Sequence, residues 1–309
     1  MKRLLCLIVI TAMLVMTPLT GLTGSYASAA SSGSVINAET EMIMSGEEHW
    51  DVRVEAKQSI YGYDTIQGAC SHKGYAYMAL YNRNVERIRI AKVNLRTMTV
   101  EKVSDPLRTV AHGNTLTYNT RTNRIIVVCG QNAKKRIAIF NPKTMKMTST
   151  RTIRISTKKL KQKFTGINGF AYNAAKNVYV LKVRDKSGKI VILDKKFRVK
   201  RVVRPQGVRQ DLLAQGLYSE GNFMYDIQSF RGNNLYNLVT VRSLYTGKIV
   251  RRIKFPCTDD AEDGRLFELE NIFHDGKNWY ASYYRATVKE NGDLNRENYL
   301  YLIKNMPFK

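Results

Sequence analysis

Polar side chains recur in this sequence just before short apolar segments, at intervals of about fifty residues. Five such segments start at Gln67, His112, Ile167, Gln215 and Glu270, and successive starts are 45, 55, 48 and 55 residues apart. Amide, imidazole and carboxylate groups that converge on one concave place commonly hold a polar ligand. The candidate ligand-binding residues are therefore Gln67, His112, Asn114, Asn168, Gln215 and Glu270.

Acid–base chemistry within this set depends on His112 and Glu270. An imidazole with an ordinary pKa of about 6.5 exchanges protons near neutral pH, so His112 is the candidate acid or base and Glu270 its candidate partner. Glycosidases commonly use two carboxylates, and this set supplies one, which disfavours that reaction. The sequence contains no G-x-S-x-G, H-E-x-x-H or G-x-x-x-x-G-K motif. We therefore assign no catalytic residue and leave open whether the protein is an enzyme.

A second landmark follows the first in four of the five units. It is a turn opened by Asn94, Asn141, Asp194 or Ser243, and these positions are 47, 53 and 49 residues apart. Side chains of this kind hydrogen-bond the backbone two residues further on and so initiate tight turns. Because the two landmarks keep step, we interpret them as parts of one structural repeat.

The repeat predicts an all-β protein, a five-bladed β-propeller. About fifty residues with short β-branched and aromatic segments is the length of a propeller blade of four strands. The fifth unit reaches only its third strand in NYLYLIKN, from Asn298 to Asn305. We expect the early segment Trp50–Ala56 to supply the missing strand, which would close the ring and remove an exposed sheet edge.

The repeats resemble a known group of proteins. The segment IAIFNPKTMKM and its counterpart VTVRSLYTGKIV are similar to blades of secreted bacterial propellers of the YVTN-repeat type. The resemblance extends from about Gln67 to Asn305 and implies an architecture rather than an activity. The tetrapeptide that names the group is absent, and the nearest string is YVLK at Tyr179–Lys182.

A metal site is implied only by a further, looser resemblance. The polar set is similar to the channel of gluconolactonase-type propellers, where Glu and Asn side chains hold a divalent cation. That resemblance would place Ca²⁺ on Glu270, Asn114 and Asn168, since oxygen ligands suit this ion. One carboxylate is a weak ligand set, and the alternative is that these side chains bond strand-end backbone groups. The metal and any other cofactor stay unassigned.

The N-terminal segment predicts export. Lys2 and Arg3 precede an apolar run from Leu4 to Met16, and Ala27-Ser28-Ala29 supplies small residues for cleavage. We expect residues 1–29 to form a signal peptide, residues 30–48 a linker, and residues 49–309 the propeller. The expected location is secreted, extracellular or associated with the cell wall.

The charge of the chain predicts an anionic partner. Fifty Lys and Arg residues stand against 25 Asp and Glu, a net charge of +25, and loss of Lys2 and Arg3 with the signal peptide leaves +23. An exported protein of this charge is expected to meet an anionic cell-wall polymer or an acidic glycan, with contact to anionic lipid left open. Export argues against a physiological nucleic-acid partner, and we expect a monomer.

The cysteines are predicted to be structural. Cys70 and Cys129 each lie in an apolar, strand-like segment, which favours buried free thiols over a disulfide or a catalytic thiolate. Asp259–Gly264, the densest acidic cluster, is predicted to be a solvated connection between the last two blades rather than a calcium loop.

Overall fold

The structure, a computed structural model, describes residues 39–41, 62–107, 115–130, 134–229, 236–256, 266–288, 291–292 and 294–303. Strand β1 spans Glu39–Glu41. The first blade holds β2 (Thr65–His72), β3 (Tyr75–Asn82), β4 (Arg87–Asn94) and β5 (Thr99–Val103). The second holds β6 (Leu116–Asn119), β7 (Arg124–Val128), β8 (Arg136–Phe140) and β9 (Met147–Thr152). A single helical turn, α1 (Thr157–Leu160), leads into the third blade and is capped by the Ser156 hydroxyl.

The remaining blades repeat this order. The third holds β10 (Ile167–Asn173), β11 (Val178–Val183), β12 (Ile190–Leu193) and β13 (Val199–Val203). The fourth holds β14 (Leu213–Glu220), β15 (Phe223–Ser229), β16 (Tyr236–Ser243) and β17 (Ile249–Pro256). The fifth holds β18 (Leu266–Asp275), β19 (Asn278–Val288) and β20 (Leu294–Ile303). Within each blade the strands pair antiparallel in sequence order, which confirms the predicted five-bladed β-propeller.

The ring is held together by five apolar clusters, one between each pair of neighbouring blades. Met78 and Phe273, for example, belong to the cluster that joins the first blade to the fifth, so the last blade packs against the first. The other four clusters join the first blade to the second, the second to the third, the third to the fourth and the fourth to the fifth. Burial of both faces of each sheet explains why the middle strands are almost continuously apolar.

The predicted turn chemistry is confirmed at three of the four turns. Asn94 Oδ1 accepts the backbone N–H of Arg96 at 3.0 Å, and Asn141 Oδ1 accepts that of Lys143 at 2.9 Å. Asp194 Oδ1 accepts the Lys196 N–H at 2.8 Å. In the fourth blade the Gly247 N–H donates instead to the Ser243 carbonyl at 2.9 Å. These turns let each blade fold back on itself and fix the position of its outer strand.

The described residues show only part of the predicted ring closure. The fifth blade has three described strands, as predicted, and the predicted closing segment Trp50–Ala56 lies outside the described residues. Strand β1, inside the predicted linker, pairs parallel with β17, so that Glu39 stands opposite Arg252 in the register. The acidic run Asp259–Gly264 and residue Cys257 also lie outside the described residues.

The two described cysteines are free and buried, as predicted. Burial raises the pKa of both the Cys70 and the Cys129 thiol, to about 12 for Cys129. A thiol that stays protonated is a poor nucleophile, so these side chains fill the core. Among the helices of the described residues, none has the length and apolar character needed to cross a membrane.

Candidate functional site

The predicted ligand-binding residues occupy equivalent places on the innermost strands. Gln67, Asn168, Gln215 and Glu270 each lie at a register shift where the first strand of a blade bulges against the second. His112 and Asn114 lie outside the described residues. Four of the six residues selected from the sequence therefore share one structural position, the bulge of the first strand, in four different blades.

The side chains at three of these bulges are buried inside the protein, and Asn168 is half-buried. Gln67 Nε2 donates to the carbonyl of Ile66 at 3.0 Å. Gln215 Nε2 donates to Ser229 Oγ at 2.8 Å and to Glu268 Oε2 at 3.1 Å. Glu270 is only 2 % exposed. These contacts correspond to the alternative weighed from the sequence, in which polar side chains satisfy groups near the strand ends, and a ligand role for them stays a prediction.

A cavity of about 250 Å³ lies at the other end of the innermost strands, and all five of those strands, with residues of the turns that follow them, line it. It is reached from what we call the cavity face, formed by the turns that follow the first and third strands of each blade. The turns after the second strands form the opposite face. Lining residues that matter for its chemistry are Ser71, His72, Tyr118, Tyr218, Glu220 and His274.

An acid–base pair stands in the cavity wall. His274 Nε2 lies 2.6 Å from Glu220 Oε2, and the Tyr218 hydroxyl donates to the same oxygen at 3.3 Å. The hydrogen bond from Glu220 raises the pKa of His274 above its ordinary value, and the same bond lowers the pKa of Glu220. The geometry therefore favours an imidazolium paired with a carboxylate, and the Glu220 side chain remains 45 % exposed to the cavity.

Contacts from three blades fix the orientation of His274. Its ring packs 5.0 Å from Trp279 and edge-on 5.9 Å from Tyr218, measured between ring centroids. Its backbone carbonyl accepts the Ser71 hydroxyl at 2.5 Å. Nδ1 is buried and has no hydrogen-bond partner among the described residues. Nε2 is held by Glu220 and Nδ1 is enclosed, so Glu220 is the more exposed member of the pair, at 45 % against 24 % for His274.

A second histidine lines the same cavity without a carboxylate on its ring. His72 stacks on Tyr118 with ring centroids 4.3 Å apart, and burial lowers the pKa of His72, with a further contribution from neighbouring Lys73. Asp275, also in the wall, accepts the backbone N–H of Gly74 at 2.7 Å. The cavity thus combines an imidazole whose pKa is lowered at one side with a hydrogen-bonded imidazole–carboxylate pair, in which the imidazole pKa is raised, at the other.

Cations surround the cavity at the level of the turns. Lys73, Arg121, Lys176 and Lys277 are exposed on the turns that follow the first strands of four blades. Arg96, Lys143, Lys146, Lys195, Lys196 and Lys248 are exposed further out, on the turns that follow the third strands. The carboxylates of this face are engaged in the fold, since Glu220 bonds His274, Asp275 bonds Gly74 N, and Asp194 bonds its own turn. The cavity face is therefore a positively charged surface around a central depression.

Sequence reasoning missed Glu220 and His274. The signal was present, because each stands at the end of a first strand, one or two residues before Gly221 or Gly276. The predictions concentrated on the starts of those strands, and the pairing of residues 54 positions apart depends on the contact between the fourth and fifth blades. Among the described residues, no group of three or more His, Cys, Asp or Glu side chains could hold a metal ion.

The fold and the cavity together define a β-propeller of five blades with a candidate site at one channel mouth. No family model matches the chain, and no curated protein matches it in sequence. The glutaminyl cyclase of Myxococcus xanthus is a similar solved structure, 11% identical, with a TM-score of 0.50 over 79% of this chain and 94% of that chain. The tail fiber of Staphylococcus aureus phage P68 is 14% identical, with a TM-score of 0.51 over 78% of this chain, which spans half of the tail-fiber chain. At these identities the likeness concerns the fold alone.

Proposed function

We propose that this protein is a binding module of the cell envelope that holds an anionic cell-wall polymer or an acidic glycan on its cavity face. The observation that carries the proposal is the distribution of charge on that face. Exposed Lys and Arg side chains surround the cavity there, and the carboxylates Glu220, Asp275 and Asp194 each accept a hydrogen bond within the fold, Glu220 while its side chain stays 45 % exposed. A surface of this kind raises the local concentration of polyanions and speeds their association.

The size of the cavity suits one unit of such a polymer. Pockets that enclose drug-sized ligands measure roughly 300–1,000 Å³, and this cavity measures about 250 Å³. We infer that a single sugar or substituent enters it while neighbouring charged units lie across the surrounding turns. His72 and Tyr118 present stacked rings at the wall, a surface against which a sugar ring can pack.

The remaining parts of the proposal come from the sequence. The apolar leader supports secretion, with the protein extracellular or bound to the wall, and the net charge supports an anionic partner. We propose that the protein is a monomer and that nucleic acid is not its physiological partner. Anionic lipid head groups are proposed as a weaker site of contact.

Salt dependence tests this proposal. Purified protein is mixed with isolated cell walls rich in teichoic acid, at salt concentrations from about 0.05 to 0.5 M, and the unbound fraction is measured. The screening length falls to a few Å at the upper end of this range, which weakens attraction between charges. We therefore expect the walls to retain the protein at low salt and to release it at high salt. Binding that stays unchanged across this range would contradict an electrostatic interaction.

The Glu220–His274 pair supports a second candidate function, a lactonase-like or glycan-cleaving hydrolase. A carboxylate oriented by two donors beside a cavity can activate water, and the adjacent imidazolium can supply a proton. This assignment moves the acid–base role from His112 and Glu270, considered from the sequence, to residues whose contact the structure shows. Turnover of a panel of lactones, esters and acidic glycans, lost in Glu220→Gln but kept in Glu86→Gln on the opposite face, would support it. Absence of turnover, together with intact binding to cell walls, would reject the hydrolase and retain the binding function.

A further inference from the structure

A polar cluster lies between the third and fourth blades, away from the cavity, with Arg252 half-buried and its other members buried. Asp226, Thr240 and Arg252 stand directly opposite one another on β15, β16 and β17, so they form one row across a single face of the fourth blade. Arg242 lies on the same face, two residues along β16 from Thr240. Lys182, from the third blade, reaches Asp226 Oδ1 at 2.5 Å, so this row faces the third blade.

Positive charge exceeds negative charge in the cluster. Lys182 and Asp226 form an ion pair, and both side chains are no more than 5% exposed. The two guanidinium groups instead share an uncharged acceptor, because Arg242 Nη2 and Arg252 Nη2 both lie within 3.4 Å of the Gly207 carbonyl oxygen. Burial lowers the pKa of Arg242, the charge of Asp226 opposes that effect, and the charge of Arg252 lowers the pKa further. Uncompensated charge of this kind is costly in a protein interior.

Three hydrogen-bond donors in the cluster also lack an acceptor. Thr240 Oγ1, Arg242 Nε and Arg252 Nε are each buried and have no hydrogen-bond partner among the described residues. Thr240 and Arg242 are at most 1% exposed as whole residues. Buried polar groups are almost always satisfied, by protein or by a bound molecule. These donors lie on one face, beside excess positive charge. A ligand that accepts hydrogen bonds and donates none would satisfy them.

We propose that a small anion of the halide class, chloride being the common one, binds between the third and fourth blades and accepts hydrogen bonds from Thr240, Arg242 and Arg252. A water molecule could accept from these donors, but it would bring two protons of its own and leave the charge excess unchanged. An anion satisfies the donors and the charge together. The bound ion acts as a structural ligand that secures the interface between these two blades.

The backbone register offers one rival acceptor. Glu39 of β1 stands opposite Arg252, at the edge of the same sheet. If its carboxylate neutralised the arginines, an anion would be unnecessary. The test therefore includes Glu39→Gln as well as variants of the cluster.

The experiment measures unfolding of the full chain by urea in sodium chloride, sodium bromide or sodium methanesulfonate, at constant ionic strength. For one halide site in the native state, we expect the unfolding constant to fall about tenfold for each tenfold rise in halide above its dissociation constant. Thr240→Val and Arg252→Met should abolish this dependence. Arg251→Met should keep it, because Arg251 lies on the other face of the same strand and its loss removes the same charge. Crystals soaked in bromide should show an anomalous peak beside Thr240 Oγ1.

Two results would overturn the proposal. The first is equal stability in halide and methanesulfonate, with bromide peaks at the surface only. The second is that Glu39→Gln destabilises the protein while halide has no effect, which would identify Glu39 as the acceptor. Since the halide comparison uses the unaltered protein, the test does not depend on every variant folding.

Discussion

Glu220 and His274 show how a site forms from single residues that neighbouring blades bring together. The pKa of His274 is raised above 6.5, so its protonation stabilises the fold at lower pH and that stabilisation is lost as pH rises through the raised pKa. The pKa of Glu220 is lowered below 4.5, so its ionisation stabilises the fold above that pH and the effect is lost as pH falls through the lowered pKa. The pair therefore stabilises the protein most between roughly pH 4.5 and 6.5.

Glu220→Gln should remove this pH dependence. Both side chains are partly exposed, so we expect a loss of under about 1 kcal/mol in the free energy of unfolding near pH 5.5, shrinking toward pH 9. The ring signals of His274, followed by NMR against pH, should titrate above 6.5 in the unaltered protein and lower in the variant. A His274 that titrates at or below 6.5 in the unaltered protein would contradict the ion pair, and His72 serves as the internal control because its pKa is lowered.

The residues of the site could be predicted from sequence only by type. A His and a Glu near the ends of two first strands are visible in HDG and SEG, but nothing local indicates that they meet. Their contact depends on the angle at which the fifth blade packs on the fourth. Conversely, the regular spacing of Gln67 and Gln215 suggested ligand residues. The structure shows that a bulge at the same place in each strand is sufficient to explain that spacing. Their ligand role stays a prediction.

Among the elements, the innermost strands depend on close approach at their bulges. A Cβ atom added at Gly216 would lie 2.5 Å from the Glu270 carbonyl oxygen and 2.6 Å from Asn271 Oδ1 of the next blade. Backbone cannot move aside as a flexible side chain can, so the two strands would have to separate. This glycine lets the fourth and fifth blades meet at the channel.

Gly216→Ala should destabilise the protein by about 2 kcal/mol or more, through strain between blades. Gly221→Ala is the matched control, because a Cβ there meets nothing within 4 Å and only the left-handed backbone, at φ +53, is strained. We expect that control to cost about 1 kcal/mol. Equal losses in urea unfolding would show that contact between the strands does not decide the need for glycine.

The elements were predicted better than the site because their signals are local. Asn94, Asn141 and Asp194 open turns whichever blade they belong to, and the side-chain hydrogen bonds observed are those that the residue types predict. The three-stranded fifth blade was predicted from the point at which the repeat ends. The pairing of β1 with β17 was not predicted, since Glu39–Glu41 is short and polar and lies in a segment without period.

For the whole molecule, the position of the charged residues, and not only the net charge, determines which face can bind a polyanion. The turns after first and third strands carry exposed cations around the cavity, and exposed cations such as Lys134, Lys158 and Lys186 also lie on the opposite face. Antiparallel pairing places alternate turns of each blade at the same end, so the cations of these turns share the face that holds the cavity. The central claim is that this face, rather than total charge, binds the envelope polymer.

The most direct test compares two variants of equal charge. One carries Lys73→Gln, Lys176→Gln and Lys277→Gln on the cavity face, and the other carries Lys134→Gln, Lys158→Gln and Lys186→Gln, exposed on the opposite face. With each cation near an anionic surface contributing about 1 kcal/mol at low salt, the first variant should bind isolated cell walls at least about tenfold more weakly than the unaltered protein. The second should stay within about twofold. Equal weakening in the two variants, or a larger loss in the second, would contradict binding through the cavity face.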